Sequence, residues 1–224
     1  MRDRNSRSVT NILADASTET DVTGLGAYAK LQSDKGVYVS GNVQLGFGDV
    51  EFNRTVTDGL DSVKESNKAD LFKYGAYAEL GYDFFADRLT VSPYMALSYN
   101  AAKLDAVKED TVIGLTVSDV DVAETKAHVS VRFDYELNQN LYLTGYGEYA
   151  DAFDRDNGMV TISSNVDNTI QYGYQAPPFD KDYFLYGVGL NYTSGSKWNW
   201  FGELTGNASK SSDYLIKLGL KYHF

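Results

Sequence analysis

Apolar and polar side chains alternate with a period of two along most of the chain, in segments of about nine to eleven residues. The clearest segment, Ala127–Leu137, has apolar side chains at its odd positions and polar or charged side chains at its even positions. The same alternation covers Phe72–Phe84, Leu89–Asn100, Phe184–Tyr192 and Asp213–Phe224. Because successive side chains of a strand point to opposite faces, the pattern predicts long β-strands with one apolar and one polar face.

Weaker alternation predicts further strands, and no segment has the helical period of 3.6 residues. The weaker strands are Gly24–Leu31, Val37–Phe52, Leu141–Ala150 and Trp198–Ala208, with a poorer one at Ser6–Ala16. The chain is therefore expected to be all-β, with nine or ten strands.

The predicted connections alternate between short and long. The short ones are Gln32–Gly36, Ala86–Arg88, Asn138–Asn140 and Thr193–Lys197, and the long ones are Asn53–Asp70, Ala101–Lys126 and Asp151–Tyr183. Ser209–Ser212 is also short, although the alternation of connections predicts a long one at this point of the chain. Long strands joined in this way predict an antiparallel up-and-down transmembrane β-barrel with short periplasmic turns and longer extracellular loops. A soluble β-sandwich, with the apolar face as its core, is the alternative.

The strand count leaves two possibilities open. Bacterial single-chain barrels have an even number of strands with both ends in the periplasm, so nine strands cannot close. Either Ser6–Ala16 supplies the tenth strand, or the chain lacks N-terminal strands. We expect residues 22–224 to form the barrel, and residues 1–21 to be a poorly defined segment or a partial hairpin.

Composition narrows the functional classes. The chain of 224 residues has no cysteine, which excludes disulfides and thiolate metal sites. A net charge of -11 argues against a general nucleic-acid partner. The chain has 20 glycines and 18 tyrosines, an excess that is common in antiparallel β proteins. No apolar stretch of about 7–15 residues follows the N-terminus, so the sequence shows no signal peptide.

Catalytic and metal-binding chemistry has little support in the sequence. His128 and His223 are the only histidines, and both fall on polar faces of predicted strands. The carboxylate pairs Asp119–Asp121 and Asp154–Asp156 lie in predicted loops, where solvated charge is the default and Ca²⁺ binding is the less favoured reading. We therefore expect no enzymatic activity, no cofactor and no metal.

Five segments together resemble the β-barrel translocator domain of the autotransporters (type V secretion). They are GLGAYAKLQSDKGVYVSG (Gly24–Gly41), YGAYAELGYDF (Tyr74–Phe84), VSPYMALSYN (Val91–Asn100), LYGVGLNYTSGSKWNWFGELTGN (Leu185–Asn207) and DYLIKLGLKYHF (Asp213–Phe224). The resemblance spans roughly residues 22–224. It implies a location in the bacterial outer membrane, contact with outer-membrane lipid, and export of a passenger polypeptide. The family's barrel has 12 strands and a helix that threads the pore, whereas this sequence shows fewer strands and no such helix, as an N-terminally truncated chain would.

The resemblance also implies that the last strand is an assembly signal. In the proteins that this chain resembles, the barrel-assembly machinery recognises a terminal strand of alternating apolar residues that ends in an aromatic residue. The matching positions are Tyr214, Ile216, Leu218, Leu220, Tyr222 and Phe224. Edge pairing supplies a physical reason, since main-chain hydrogen bonds give affinity and alternate side chains give specificity.

The opposite, polar faces of the strands are expected to line the barrel lumen. The charged residues predicted there are Lys30, Lys73, Glu79, Asp83, Arg132, Asp134, Glu136, Glu148, Glu203, Lys217 and Lys221. Either the wet lumen simply tolerates these charges, or they form a lining that lets a polypeptide or solute pass. Their mixed signs argue against strong ion selectivity. The expected function is an outer-membrane translocator that anchors and helps export a passenger. The alternatives are a stand-alone porin or adhesin-like barrel with acidic extracellular loops, and a soluble all-β binding module.

Overall fold

The computed structural model describes residues 2–11, 14–58, 61–110, 114–175, 181–193, 198–209 and 213–222. No helix within these ranges is long and apolar enough to cross a membrane. The strands of these ranges are β1 (Arg2–Asn11), β2 (Ala14–Gln32), β3 (Val37–Asp58), β4 (Asp61–Tyr82), β5 (Phe84–Ala86), β6 (Leu89–Leu104), β7 (Val107–Lys108), β8 (Leu115–Val117), β9 (Val120–Asn138), β10 (Leu141–Asp156), β11 (Met159–Ser164), β12 (Gln171–Gln175), β13 (Asp182–Thr193), β14 (Trp198–Ala208) and β15 (Asp213–Tyr222).

Ten long strands form one antiparallel sheet in the order β1-β2-β3-β4-β6-β9-β10-β13-β14-β15, and the short β5 pairs with β6. Each long strand pairs with the long strands before and after it in the chain, which confirms the predicted all-β, up-and-down architecture. Within the described ranges, β1 and β15 each pair with a single neighbour, so the sheet is a half-barrel with two edges.

One contact shows how strongly the sheet curls. Strands lie about 4.8 Å apart, so β3 and β9, three positions apart in the order, would be separated by about 14 Å in a flat sheet. Nevertheless Arg132 Nη1 of β9 lies 3.4 Å from Tyr38 Oη of β3. The face that carries both side chains is therefore concave, and the alternate positions of each strand form the convex face.

The convex face is apolar from β2 to β15, apart from the polar outer part of the β3–β4 hairpin. Leu31 of β2 is 77% exposed and Leu218 of β15 is 82% exposed. Between these strands the exposed convex side chains include Val39, Leu45, Leu80, Met95, Leu97, Val129, Val188, Leu190 and Trp200. An apolar surface of this extent is not stable in water, and it suits contact with lipid.

Glycines and aromatic residues face each other across neighbouring strands. A Cβ atom on Gly81 would lie 2.3 Å from the ring of Tyr38, its partner in the ladder. The same close approach occurs in the pairs Phe133–Gly145, Tyr146–Gly187, Tyr186–Gly206 and Phe201–Gly219. An aromatic ring that covers a glycine replaces the missing packing and fixes the strand register. These pairs account for part of the glycine and tyrosine excess.

The expectation of a long loop at Asn53–Asp70 is wrong. β3 and β4 pair continuously from Val37↔Tyr82 to Asp58↔Asp61, so this segment continues the hairpin. The alternation was lost there because the outer part of the hairpin is polar on both faces. Its strands are held by ladder hydrogen bonds and by ion pairs such as Lys68 Nζ to Glu51 Oε2 at 3.4 Å.

The other two predicted long loops are partly folded as well. Their strands β7, β8, β11 and β12 form a second sheet in the order β12-β11-β8-β7, which we call the loop sheet. Arg54 of β3 forms an ion pair with Glu109, and the Glu109 carboxylate accepts the Leu115 N–H at 2.6 Å. The outer end of the β3–β4 hairpin is therefore tied to the loop sheet.

At the N-terminus the expected strand Ser6–Ala16 has the wrong bounds. β1 ends at Asn11 and β2 begins at Ala14, and the two pair from Arg2↔Thr23 to Asn11↔Ala14. β2 then continues without a break to Gln32. The short polar segment contains one hairpin strand and the start of the next, which a search for apolar alternation could not separate.

Pro93 lies in the middle of β6 without disrupting it. β4 pairs with β6 only as far as Gly81↔Tyr94, and β5 resumes the pairing at Phe84↔Val91. The backbone N–H that proline lacks falls beside this break, which is why the residue is tolerated. At the break, the Asp83 N–H donates to the Gly36 carbonyl at 2.9 Å.

Candidate functional site

Arg132 lies at the centre of the concave face. Its guanidinium donates to both carboxylate oxygens of Glu79, at 2.8 Å and 2.7 Å. The same guanidinium lies over the Tyr94 ring, 3.9 Å from the ring centroid. Tyr77 Oη donates to Glu79 at 2.6 Å. The two parallel hydrogen bonds between the Arg132 guanidinium and the Glu79 carboxylate fix the geometry of this pair. These groups therefore connect β4, β6 and β9 on the concave face of the sheet.

A second group of polar side chains surrounds Glu148 of β10. Tyr94 Oη donates to Glu148 Oε2 at 2.7 Å, and Ser130 Oγ donates to the same oxygen at 3.1 Å. The other oxygen, Oε1, lies 2.9 Å from Nδ1 of His128. His128 Nε2 in turn lies 2.9 Å from Ser98 Oγ, and both of these residues are buried. Tyr94 contacts both groups, so they form one network across four strands.

Asp83 forms a third polar centre, beside the tight turns of the sheet. Its two carboxylate oxygens accept hydrogen bonds from Ser92 Oγ at 2.6 Å and from Gln32 Nε2 at 2.7 Å. These contacts join β2 and β6 at the point where β4 ends, so the break in the ladder is bridged by side chains.

Towards the long connections, the concave face opens into a cavity of about 960 Å³. Its lining includes glycines of β2 and β3, among them Gly26 and Gly46, together with polar side chains. The charged lining residues are Lys73, Glu124, Lys126, Arg155 and Asp156. Small residues leave this half open to solvent, and its charged lining residues carry both signs.

The structure brings some of the predicted lumen residues together and leaves others apart. Glu79, Arg132 and Glu148 belong to the central network, and Lys30 Nζ lies 4.3 Å from the centroid of the Tyr38 ring. Glu203 and Lys217 are 3.7 Å apart on β14 and β15. The ladder places Asp134, Glu136 and Lys221 opposite Thr144, Tyr142 and Asn199.

The sequence did not identify the neutral members of these three polar groups. These are Gln32, Tyr38, Tyr77, Ser92, Tyr94, Ser98 and Ser130, and each falls on the polar phase of its strand. Their position on the polar face of a strand was the one sign in the sequence that these residues face the lumen. It could not show which of the many polar positions contact one another, because such contacts depend on the curl of the sheet.

Metal binding finds no support in the described ranges, where no cluster of three or more His, Asp or Glu side chains is suited to a metal ion. His128 has the polar-face position that the sequence predicts, whereas His223 lies outside the described residues. The arrangement Ser98–His128–Glu148 gives each imidazole nitrogen a polar partner, which the sequence did not anticipate.

In the predicted assembly signal, Tyr214, Ile216, Leu218 and Leu220 are exposed. Tyr222 is the last residue of β15, and Phe224 lies outside the described residues. β14 pairs with one edge of β15 from Trp198↔Tyr222 to Asn207↔Asp213.

Comparison with solved structures shows the same fold in other proteins. The translocator domain of the autotransporter NalP from Neisseria meningitidis matches with a TM-score of 0.66 and 16% identity, over 97% of this chain and 71% of that one. The β domain of the Bordetella autotransporter BrkA matches with a TM-score of 0.56 and 14% identity, over 99% and 88%. The monoaromatic hydrocarbon channel CymD matches with a TM-score of 0.56 and 9% identity, over 100% and 74%.

No curated protein sequence matches the chain. The family model described as "Autotransporter beta-domain" matches residues 5–205, which is most of the sequence. The chain therefore belongs to the autotransporter β-domain family.

Proposed function

We propose that the protein is the outer-membrane translocator of an autotransporter, which anchors a passenger polypeptide and helps to export it. The observation that carries this proposal is the division of the sheet, with an apolar convex face and a polar concave face, in a member of the autotransporter β-domain family. Lipid covers the convex face in this proposal, and the concave face becomes a water-filled lumen.

The orientation follows from the connections. The turns at 33–36, 87–88 and 139–140 are tight and lie on the periplasmic side in this proposal. The outer end of the β3–β4 hairpin and the loop sheet lie outside the cell. In this proposal residues 22–224 form the barrel, and residues 1–21, which contain β1 and the first part of β2, add a partial hairpin at its N-terminal edge.

The lumen lining supports the transport of a polypeptide more than the transport of one kind of ion. Lys73, Lys126 and Arg155 border the same cavity as Glu124 and Asp156, so neither sign of charge dominates. Glycines on its wall add room without adding charge. Export requires no catalytic step from such a lining, so the proposal assigns no enzymatic activity to transport.

We also propose two partners for assembly, outer-membrane lipid and the barrel-assembly machinery. The machinery would read β15 and its exposed side chains Tyr214, Ile216, Leu218 and Leu220, together with Tyr222 and Phe224. Deletion of Phe224 is expected to lower the amount of protein inserted in the outer membrane.

Export is tested by placing a signal peptide and a short epitope tag before Arg2 and expressing this fusion in a Gram-negative host. The expected result is that antibody or added protease reaches the tag on intact cells. Migration on gels before and after heating establishes that the barrel is folded. A folded, membrane-inserted protein whose tag stays inside the cell contradicts export. Stable single-channel conductance from that protein in a planar bilayer would then favour a porin.

A further inference from the structure

A chain of three side chains on the concave face has the connectivity of a serine hydrolase triad. Ser98 Oγ lies 2.9 Å from His128 Nε2, and His128 Nδ1 lies 2.9 Å from Glu148 Oε1. The imidazole therefore contacts a hydroxyl through one nitrogen and a carboxylate through the other. In this geometry the carboxylate fixes the tautomer that leaves Nε2 free to take the serine proton.

The surroundings hold the triad in place. Glu148 Oε2 accepts hydrogen bonds from Tyr94 and Ser130, so its carboxylate has little freedom to rotate. The Tyr77 ring meets the His128 ring edge-on, with their centroids 5.9 Å apart. A base that is oriented by a carboxylate and confined by an aromatic ring is the arrangement that activates a hydroxyl nucleophile.

Ser98 lines a second cavity of about 570 Å³, through which substrate would reach it. Asn100 and Lys126 line the cavity of about 960 Å³. Both residues are neighbours of Ser98 on the concave face, because Asn100 is two positions along β6 and Lys126 is its partner on β9. The Asn100 amide is the candidate donor for a developing oxyanion, because the Lys126 ammonium is already paired with Glu124 Oε1 at 2.6 Å. Asn100 Oδ1 already accepts from Gln44 Nε2 at 3.4 Å, which orients the amide.

From this geometry we propose that Ser98, His128 and Glu148 form a hydrolytic site for carboxylic esters, and this site goes beyond the proposed export function. Ser98 and His128 are its catalytic residues, and Glu148 is a positioning residue. Backbone N–H groups inside a strand are used by the ladder, so side chains alone stabilise the oxyanion. This favours esters over amides, because an ester carbonyl has less resonance stabilisation than an amide carbonyl and an alkoxide leaves more readily than an amide anion.

The reaction balances without any other reagent. Ser98 Oγ forms a bond to the ester carbonyl carbon as its proton passes to His128 Nε2. The tetrahedral adduct expels the alcohol, which takes that proton, and leaves an acyl group on Ser98. Water then adds to the acyl carbon with His128 as the base, and the carboxylic acid is released.

A fluorophosphonate probe tests the nucleophile on the full chain refolded in detergent. The expected result is covalent labelling that mass spectrometry places on Ser98, and Ser98→Ala is expected to lose at least about tenfold of this labelling. Ser92→Ala is the matched control, because Ser92 is a buried serine on the same face of β6 that donates to Asp83 instead. Labelling at another residue, or an unlabelled native protein, overturns the proposal even where the Ser98 variant fails to fold.

Hydrolysis of p-nitrophenyl acetate separates a positioning role from a structural one. Glu148→Gln is expected to lower kcat at least about tenfold while KM stays within about twofold, and Glu148→Asp is expected to recover part of kcat. Each variant must first show the heat-dependent gel shift of the folded native protein. Equal kcat values for folded native protein and folded Ser98→Ala would refute the site, whatever the outcome of the export experiment.

Discussion

The two halves of the concave face differ in how they are filled. The half beside the tight turns, which we call the turn half, is packed with Tyr38, Tyr94, Arg132 and their carboxylate partners. The half beside the long connections, the loop half, contains glycines and a cavity of about 960 Å³. Both halves have the same alternation and the same ladder. The difference therefore comes from the size of the inward side chains, which decides whether the curl encloses a network or a space.

The largest expected effect is the loss of the charge at the centre of the turn half. Arg132→Met leaves the Glu79 carboxylate, which is 3% exposed, without its cation. A buried charge that loses its partner costs about 3–5 kcal/mol, and we expect the lower end because the Arg132 side chain is 40% exposed and partly screened. Urea unfolding in detergent, followed by tryptophan fluorescence, measures the change.

Asp134→Asn is the matched control for this prediction, since Asp134 is the next inward position on β9 and is exposed. We expect it to change the unfolding free energy by less than about 0.5 kcal/mol. The double variant Glu79→Gln/Arg132→Met is expected to be more stable than Arg132→Met alone. Equal free energies of unfolding for Arg132→Met and the native protein would show that the network does not stabilise the turn half.

A smaller effect is expected from filling the space that the Tyr38 ring occupies. Gly81→Ala places a methyl group 2.3 Å from ring atoms of the buried Tyr38, which must move. Overpacking of this kind costs about 1–3 kcal/mol. Gly173→Ala in the loop sheet is the control, because its methyl would meet only Met159 Sδ at 3.7 Å. Urea unfolding of both variants tests whether glycine is needed at one site and replaceable at the other.

In the loop half, loss of an ion pair is expected to act locally. Arg54→Ala removes the contact between β3 and Glu109 of the loop sheet, where the arginine side chain is 27% exposed. The unfolding free energy of the barrel is expected to fall by less than about 1 kcal/mol. Limited proteolysis should cut the loop sheet faster than in the native protein or in Lys64→Ala, an exposed lysine of the same hairpin. Unchanged proteolysis would show that the loop sheet does not depend on this link.

The smallest effect concerns pH at the outer part of the β3–β4 hairpin. A hydrogen bond from Asn53 Nδ2 at 3.1 Å, and after it the Lys68 ammonium, lower the pKa of Glu51. Because the folded pKa is the lower one, Glu51 contributes stability above its unfolded pKa of about 4.3, and this contribution is lost as pH falls through the folded value. NMR titration of the Glu51 carboxyl should give a lowered midpoint that rises in Asn53→Ala. An equal midpoint in both proteins would contradict the assignment.

Features that repeat along a strand could be predicted from the sequence. Alternation in segments such as Ala127–Leu137 predicted the long strands and their two faces, and the phase of His128 was right. It was insufficient where both faces of a strand are polar, as in the hairpin beyond Asn53 and in β1. The network at Arg132 could not be predicted either, because its partners are brought together by curl, which no local pattern encodes.

The length of the β3–β4 hairpin has a consequence for what the cell presents to its surroundings. Each strand has 22 residues, whereas about 9–11 residues suffice to cross a bilayer. In the proposed orientation, the remaining residues of each strand, about 11–13, extend roughly 35–45 Å along the ribbon beyond the lipid, at about 3.3 Å per residue. A paired β-ribbon of that length holds the attached loop sheet away from the lipid. In that proposed orientation, the ribbon and the loop sheet are the parts of the protein that face the surroundings of the cell.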